Sequence, residues 1–287
     1  MGRRFFAHPL VRMFAITTLF VAVVAAAAVV LNRWHAPWTM VLAAWALLAI
    51  LAAIVFGAER LLPRGPSRVG LDLRSAPRGL LTGLGIGAVL FSAVILELTA
   101  AGDYRIVGAG LSGWLVQFDL LLVASAATEE LFVRGVVFRL LSEWAGTWIA
   151  LAVSAAIFGA LHAFNHGATW ISSTAIALEA GVLLAAAYVA AGNLWVPIGL
   201  HIAWNFCEGP LYGTTISGGS VAHTIFRAHL TGPSLLTGGA FGPEAGLPAV
   251  LTCLVAAAVL LAYARAKNRI VPCPWLPRRA LQQTTSG

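Results

Sequence analysis

The stretch Ala126-Ala127-Thr128-Glu129-Glu130-Leu131-Phe132-Val133-Arg134 puts three charged side chains within six residues, in the middle of a long apolar run. A charge at the centre of a membrane helix costs roughly 2.5–3.5 kcal/mol on insertion scales. A lipid-facing helix does not carry three of them. Glu129, Glu130 and Arg134 therefore face a protein interior, pair with one another or line a wet cavity, and are functional-site candidates.

The rest of the chain supports the membrane setting. Of its 287 residues, 60% are hydrophobic and 10% charged, where a soluble domain carries about 25% charged residues. Mean hydropathy is +0.87. These values predict an all-α, polytopic membrane helix bundle forming one integral domain, 1–287. No internal repeat is evident, so an inverted-repeat transporter gains no support.

Apolar runs at 13–31, 38–58, 79–101, 113–138, 147–165, 168–190, 194–212 and 247–264 predict eight spans, each near the roughly 20 residues a bilayer requires. Gly and Pro punctuate the gaps, at Pro63, Gly65 and Pro66, at Gly108 and Gly110, at Gly192 and through the Gly-rich stretch 213–246. The first run follows Arg3, Arg4 and Arg12, and Ala25 to Ala28 mimic a signal-peptidase site. Its length exceeds the usual h-region of about 7–15 residues and another span follows at once, which favours an uncleaved helix.

With both termini in the cytoplasm, fifteen of the eighteen basic residues fall on inner segments or at their edge: Arg3, Arg4 and Arg12; Arg60, Arg64, Arg68, Arg74 and Arg78; Arg134 and Arg139; and five in the tail 265–287. Only Arg33, Arg105 and Arg227 fall outside. The net charge of +7 thus reports membrane orientation and not a nucleic-acid partner. Cys207, Cys253 and Cys273 show no metal or disulfide spacing and read as free thiols. The domain map that follows is a catalytic helical core at 113–212, a Gly-rich extracytoplasmic loop at 213–246 and a cytoplasmic basic tail at 265–287.

Polar residues recur within the predicted spans. Glu130 and Arg134, four apart, share a helix face and can pair. Glu129 is turned about 100° away, so it can serve another purpose. His162 lies as far after the 144–147 turn as Glu129 lies before it, so an antiparallel hairpin sets the two at one depth. His201 and Asn205 share a face, and Glu208 falls on the same side. His166 reads as interfacial. Each feature alone also reads as an interhelical contact, of about 0.6 kcal/mol for a hydrogen bond. Together they offer a base to activate water and donors for an oxyanion, as peptide hydrolysis requires.

Glu129-Glu130…Arg134, Phe158…His162 and His201…Asn205 stand in the order E-E-x-x-x-R, F-x-x-x-H, H-x-x-x-N. In this the chain resembles the CAAX protease and bacteriocin-processing (CPBP/Abi) family of intramembrane proteases, including type II CAAX prenyl endopeptidases. The resemblance covers about 113–246, with Gly192-Asn193-Leu194-Trp195-Val196-Pro197 and Gly239 to Glu244 also alike. It implies an intramembrane endopeptidase, with Glu129 as general base, His162 positioning water, His201 and Asn205 as the oxyanion hole, and Glu130 and Arg134 orienting the helix and tuning Glu129.

A single water-activating carboxylate is enough for this chemistry, so no cofactor is required. A zinc version, with Glu129, His162 and His201 as ligands, matches the His₂Glu donor set of catalytic zinc sites. The metal-free form is preferred because Asn205 beside His201 suits an oxyanion hole better than a zinc shell. Two non-enzyme readings stay open. One is a membrane immunity or scaffold protein. The other is a transporter or proton channel using Glu97, Glu179 and Glu208. The expected partners are the lipid bilayer and a peptide or protein substrate in or at the membrane, possibly CAAX-type and prenylated. No nucleic acid is expected, and oligomeric state is not legible. The short loops point to a bacterial inner membrane. The stretch 213–246, with His223, Arg227 and His229, reads either as a lid or as an ordinary connection.

Overall fold

The computed structural model describes residues 7–31, 36–61, 68–110, 115–221 and 224–275. The expectations placed on Arg3, Arg4, Arg33, Pro63, Arg64, Gly65, Pro66, His223 and the tail beyond 275 lie outside the described residues.

Eight helical stretches occupy the eight predicted runs. They are α1 (Pro9–Leu31), α2 (Pro37–Leu61), α3 (Ala76–Ala101), α4 (115–145), α5 (Thr147–His162), α6 (Trp170–Ala191), α7 (195–211) and α8 (Leu247–Ala266). By length and apolarity α1, α2, α3, α6 and α8 qualify as membrane-crossing. α5 is shorter and carries the Phe158…His162 motif, and α4 and α7 carry the charged and polar residues of the other two motifs. The protein is a polytopic all-α bundle with one small two-stranded exception among the described residues. The strands β1 (Tyr104–Ala109) and β2 (Phe226–Leu230) pair antiparallel beside the C-terminal end of α3. Alternation was too short in either segment to reveal this pair from sequence.

Three helices contain a π turn, at Val133–Phe138 in α4, at Ala177–Gly181 in α6 and at Cys207–Leu211 in α7. Such one-residue bulges in α-helices are frequent at functional sites.

α3 and α7 pack most closely. Gly79, Gly83 and Gly87 recur every four residues along α3, and Gly199 faces them from α7. A Cβ at Gly83 would overlap Val196 O, and one at Gly87 would overlap Leu200 O. Small residues at this spacing let two backbones touch, which is how membrane helices gain packing energy without a hydrophobic drive. The seam extends into a core in which Phe91 meets Trp204 edge-on at 4.9 Å.

α4 runs to Ala145, past the expected end at 138, because its polar last turns are buried in ion pairs. Arg139 bonds Glu59 of α2 at 2.8 Å, and Arg12 of α1 bonds the same carboxylate at 2.6 Å. Glu143 sits 3.6 Å from Arg12 and 3.7 Å from Arg139. Arg12, expected to flank the first span as a topology signal, is instead fully buried within α1. Charges this deep are tolerated only when paired, and this network ties α1, α2 and α4 together.

Candidate active site

α4 and α5 form the antiparallel hairpin that the sequence suggested, turning at Gly146. Glu129 on α4 and His162 on α5 line one cavity of about 400 Å³. His201 and Asn205 of α7 line the same cavity, as does Phe158. Four candidate catalytic residues from three helices thus share one space.

The two adjacent glutamates have different surroundings. Glu130 is fully buried, and its Oε1 accepts from Arg134 Nη1 at 2.8 Å and lies 3.0 Å from His201 Nδ1. Arg134, also fully buried, donates from Nη2 to the carbonyls of Ala180 (3.0 Å) and Gly181 (3.3 Å), at the π turn of α6. Its guanidinium lies 4.4 Å from the Phe158 ring centroid. Glu130 and Arg134 therefore join α4 to α6 and α7. Glu129 is only part-buried; its Oε1 accepts from Ser125 at 2.9 Å, and its Oε2 has no hydrogen-bond partner among the described residues.

The histidine contacts fix which ring nitrogen carries hydrogen. His162 Nδ1 is 2.8 Å from Phe158 O. A carbonyl can only accept, so Nδ1–H is the donor and Nε2 of the neutral ring keeps its lone pair. His201 Nδ1 likewise donates to the Glu130 carboxylate. His201 can then act as a donor from Nε2 only when the ring is an imidazolium.

Further residues line this cavity that sequence reasoning did not place there: Ser125, Asn165, Glu179, Ser217 and Glu244. Glu179 had a signal, as a carboxyl within an apolar run, and Glu244 stood in a stretch noted only for resemblance. Glu208, expected on the His201 side of α7, does not line the cavity. The π turn at Cys207–Leu211 shifts its phase, and its Oε1 accepts the Glu244 backbone N–H at 3.2 Å. Glu244 Oε1 accepts from Ser217 at 2.6 Å. Burial pushes the Glu244 carboxyl above its ordinary value of 4.5, while the Ser217 hydrogen bond pulls it back. Glu97 lies apart on α3, where its carboxylate accepts from Thr252 at 3.1 Å.

The stretch 213–246 folds back over the helices. Gly218 N–H donates to Phe241 O at 2.8 Å, and Ile216, Ser217 and Glu244 form part of the cavity wall. Arg227 and His229 lie on β2, paired to β1. His166 is exposed in the turn after α5.

Among the described residues no group of three or more His, Cys, Asp or Glu is placed to hold a metal ion. Glu129, His162 and His201, the zinc alternative, line one cavity without converging as such a group. Cys207 and Cys253 are buried free thiols, and Cys273 is a partly exposed one.

Residues 111–207 match the family model described as type II CAAX prenyl endopeptidase Rce1-like. The match spans roughly a third of the chain and contains Glu129, Glu130, Arg134, Phe158, His162, His201 and Asn205. Searches of curated proteins and of solved structures each found no match.

Proposed function

We propose that this cavity is the active site of an endopeptidase that hydrolyses a peptide bond of a membrane-embedded or membrane-delivered substrate with water activated by Glu129. The family match supports a CAAX-type protease acting at the membrane in general. The observation that carries the finer reading is the unequal pair of glutamates. Glu130 is fully buried, with its Oε1 held by both Arg134 and His201, whereas Glu129 lines the cavity and carries only the Ser125 hydrogen bond among the described residues.

In the proposed reaction, Glu129 takes a proton from water as the water oxygen attacks the scissile carbonyl carbon. His162, with Nδ1–H held by Phe158 O, accepts a hydrogen bond at Nε2 from the water's other O–H, which stays on the oxygen, and so aims its lone pair. The carbonyl oxygen becomes an oxyanion. Asn205 Nδ2 donates to it, joined by His201 Nε2–H when that ring is an imidazolium held on Glu130. Oxyanion donors of this kind are worth about 10²–10³ in kcat each. Collapse of the tetrahedral intermediate breaks the C–N bond, and the proton on Glu129 passes to the leaving amine. Leu122, Leu161, Leu183, Leu200 and Ile216 give the cavity an apolar lining, which suits apolar side chains or an attached hydrocarbon.

The test is peptide cleavage by mass spectrometry with purified protein in detergent. The peptides are membrane-derived and farnesylated CAAX sequences, offered to wild type and Glu129→Gln, each with and without a zinc chelator. Cleavage lost in the variant and indifferent to chelator supports the proposal. Full cleavage by Glu129→Gln overturns it, and loss on chelation moves the chemistry to a metal.

A further inference from the structure

A second cavity, of about 710 Å³, opens at the other end of the bundle, where α3 begins and α6 and α8 end. Arg74, Arg78 and Arg269 line it, with Asp72 as the one acidic residue. The Asp72 carboxylate is engaged in capping, accepting the Arg74 backbone N–H at 3.2 Å. Arg269 is anchored by a hydrogen bond from Nη1 to Ala190 O, which fixes one guanidinium at the rim. The side chains of Arg74 and Arg78 have neither a hydrogen bond nor an ion pair among the described residues, and both are exposed. Deeper in, the lining turns apolar, through Ile86 of α3, Val196 of α7 and Leu260 of α8.

We infer that this cavity is a binding site for an anionic phospholipid. The phosphate sits among Arg74, Arg78 and Arg269, and an acyl chain runs along Ile86, Val196 and Leu260. Two features select this occupant. Three guanidiniums against one engaged carboxylate leave an excess of positive charge, and planar guanidiniums bind phosphate oxygens in bidentate fashion. The polar-to-apolar gradient along the α3–α8 cleft is that of a headgroup followed by a chain, and basic pockets between membrane helices take anionic headgroups for this reason. A free phosphate satisfies the first feature alone. The site is independent of the cavity that holds Glu129, so its test does not depend on proteolysis.

The experiment is a native mass-spectrometry titration of delipidated protein in neutral detergent. The probes are phosphatidylglycerol, phosphatidylcholine and inorganic phosphate. Wild type is compared with Arg74→Gln/Arg78→Gln and with Arg60→Gln/Arg265→Gln, which removes the same charge elsewhere on the chain. Phosphatidylglycerol is expected to bind more tightly than phosphatidylcholine. Losing Arg74 and Arg78 is expected to weaken it about 25-fold, at about fivefold per arginine, while the Arg60/Arg265 variant stays within about twofold of wild type. Equal weakening in both variants, or equal binding of the two lipids, overturns the site in favour of diffuse surface charge. Inorganic phosphate binding as tightly as phosphatidylglycerol overturns the lipid assignment. Because Arg74 and Arg78 are exposed, an unchanged melting temperature is expected for their variant. If it fails to fold, Arg78→Gln alone takes its place, with a fivefold loss expected and no loss refuting the site.

Discussion

Replacing Arg134 with Met tests the central ion cluster without reference to any activity. The side chain is fully buried and makes a 2.8 Å charge-assisted bond to Glu130, bonds of 3.0 and 3.3 Å to two carbonyls, and a 4.4 Å approach to the Phe158 ring. Met retains much of the volume but none of the donors. The charged hydrogen bond alone is worth about 1.5–3 kcal/mol, and removing one partner of a buried pair costs about 3–5 kcal/mol because the other charge is stranded. His201 remains beside Glu130 and offsets part of this, so about 3 kcal/mol is expected. The diagnostic is the double variant. Glu130→Gln removes the stranded charge, so Arg134→Met/Glu130→Gln should be more stable than Arg134→Met by about 1–2 kcal/mol. Reversible unfolding in mixed micelles, followed by tryptophan fluorescence, reads both differences. A loss below about 1 kcal/mol for Arg134→Met, or a further loss on adding Glu130→Gln, would refute the assignment of the cluster as mutually dependent.

Asn205→Ala should lower kcat about 10²–10³-fold with little change in KM if its amide meets the oxyanion; an effect confined to KM would reassign it to substrate binding. Gly83→Ala should destabilise by about 1–3 kcal/mol, because its Cβ must push against the α7 backbone. Gly85→Ala, on the same helix with nothing within 4 Å, should be neutral or gain up to about 1 kcal/mol. Thermal unfolding of the two side by side decides whether the seam is as tight as described. For Glu244 the raised folded-state value sets the sign. Its contribution is fully present below 4.5, the ordinary value, and is lost as pH rises toward the higher folded value. Glu244→Gln, which cannot ionise, should therefore gain on wild type in melting temperature as pH rises from about 4.5; a difference that stays flat with pH removes the argument.

The sequence disclosed the helices because apolar runs and Gly/Pro breaks are local signals, and each of the eight runs does hold a helix. It misplaced the end of α4 because Arg139 and Glu143 look like solvent-facing residues until Arg12 and Glu59 arrive from other helices. The β1–β2 pair joins residues more than a hundred positions apart, and nothing local marks it. At the site, the spacing of Glu130 and Arg134, and the equal distance of Glu129 and His162 from the turn, were geometric facts of helices and could be read directly. The His201–Glu130 contact was not legible, since no spacing relates α4 to α7. Nor was the fate of Glu208, because a π turn leaves no periodic trace in the residues that form it. Ser217 and Glu244 reach the cavity only through the folding-back of a stretch without regular periodicity.

The division between five strongly apolar helices and the polar α4 and α7 has a consequence for biogenesis. α1, α2 and α3 precede α4 in the chain and can each partition into lipid alone. α4, with Glu129, Glu130, Arg134, Arg139 and Glu143, cannot do so at roughly 2.5–3.5 kcal/mol for each charge near the bilayer centre. Its entry is expected to wait on partners: Arg12 and Glu59 are already in place for its last turns, whereas the partners of Glu130 and Arg134 on α6 and α7 are made later. α7 finds its groove prepared in advance by the glycines of α3. Three of the four catalytic candidates, Glu129, His201 and Asn205, are thus delivered by the helices least able to insert unaided, and the active cavity is completed only at a late step of membrane assembly.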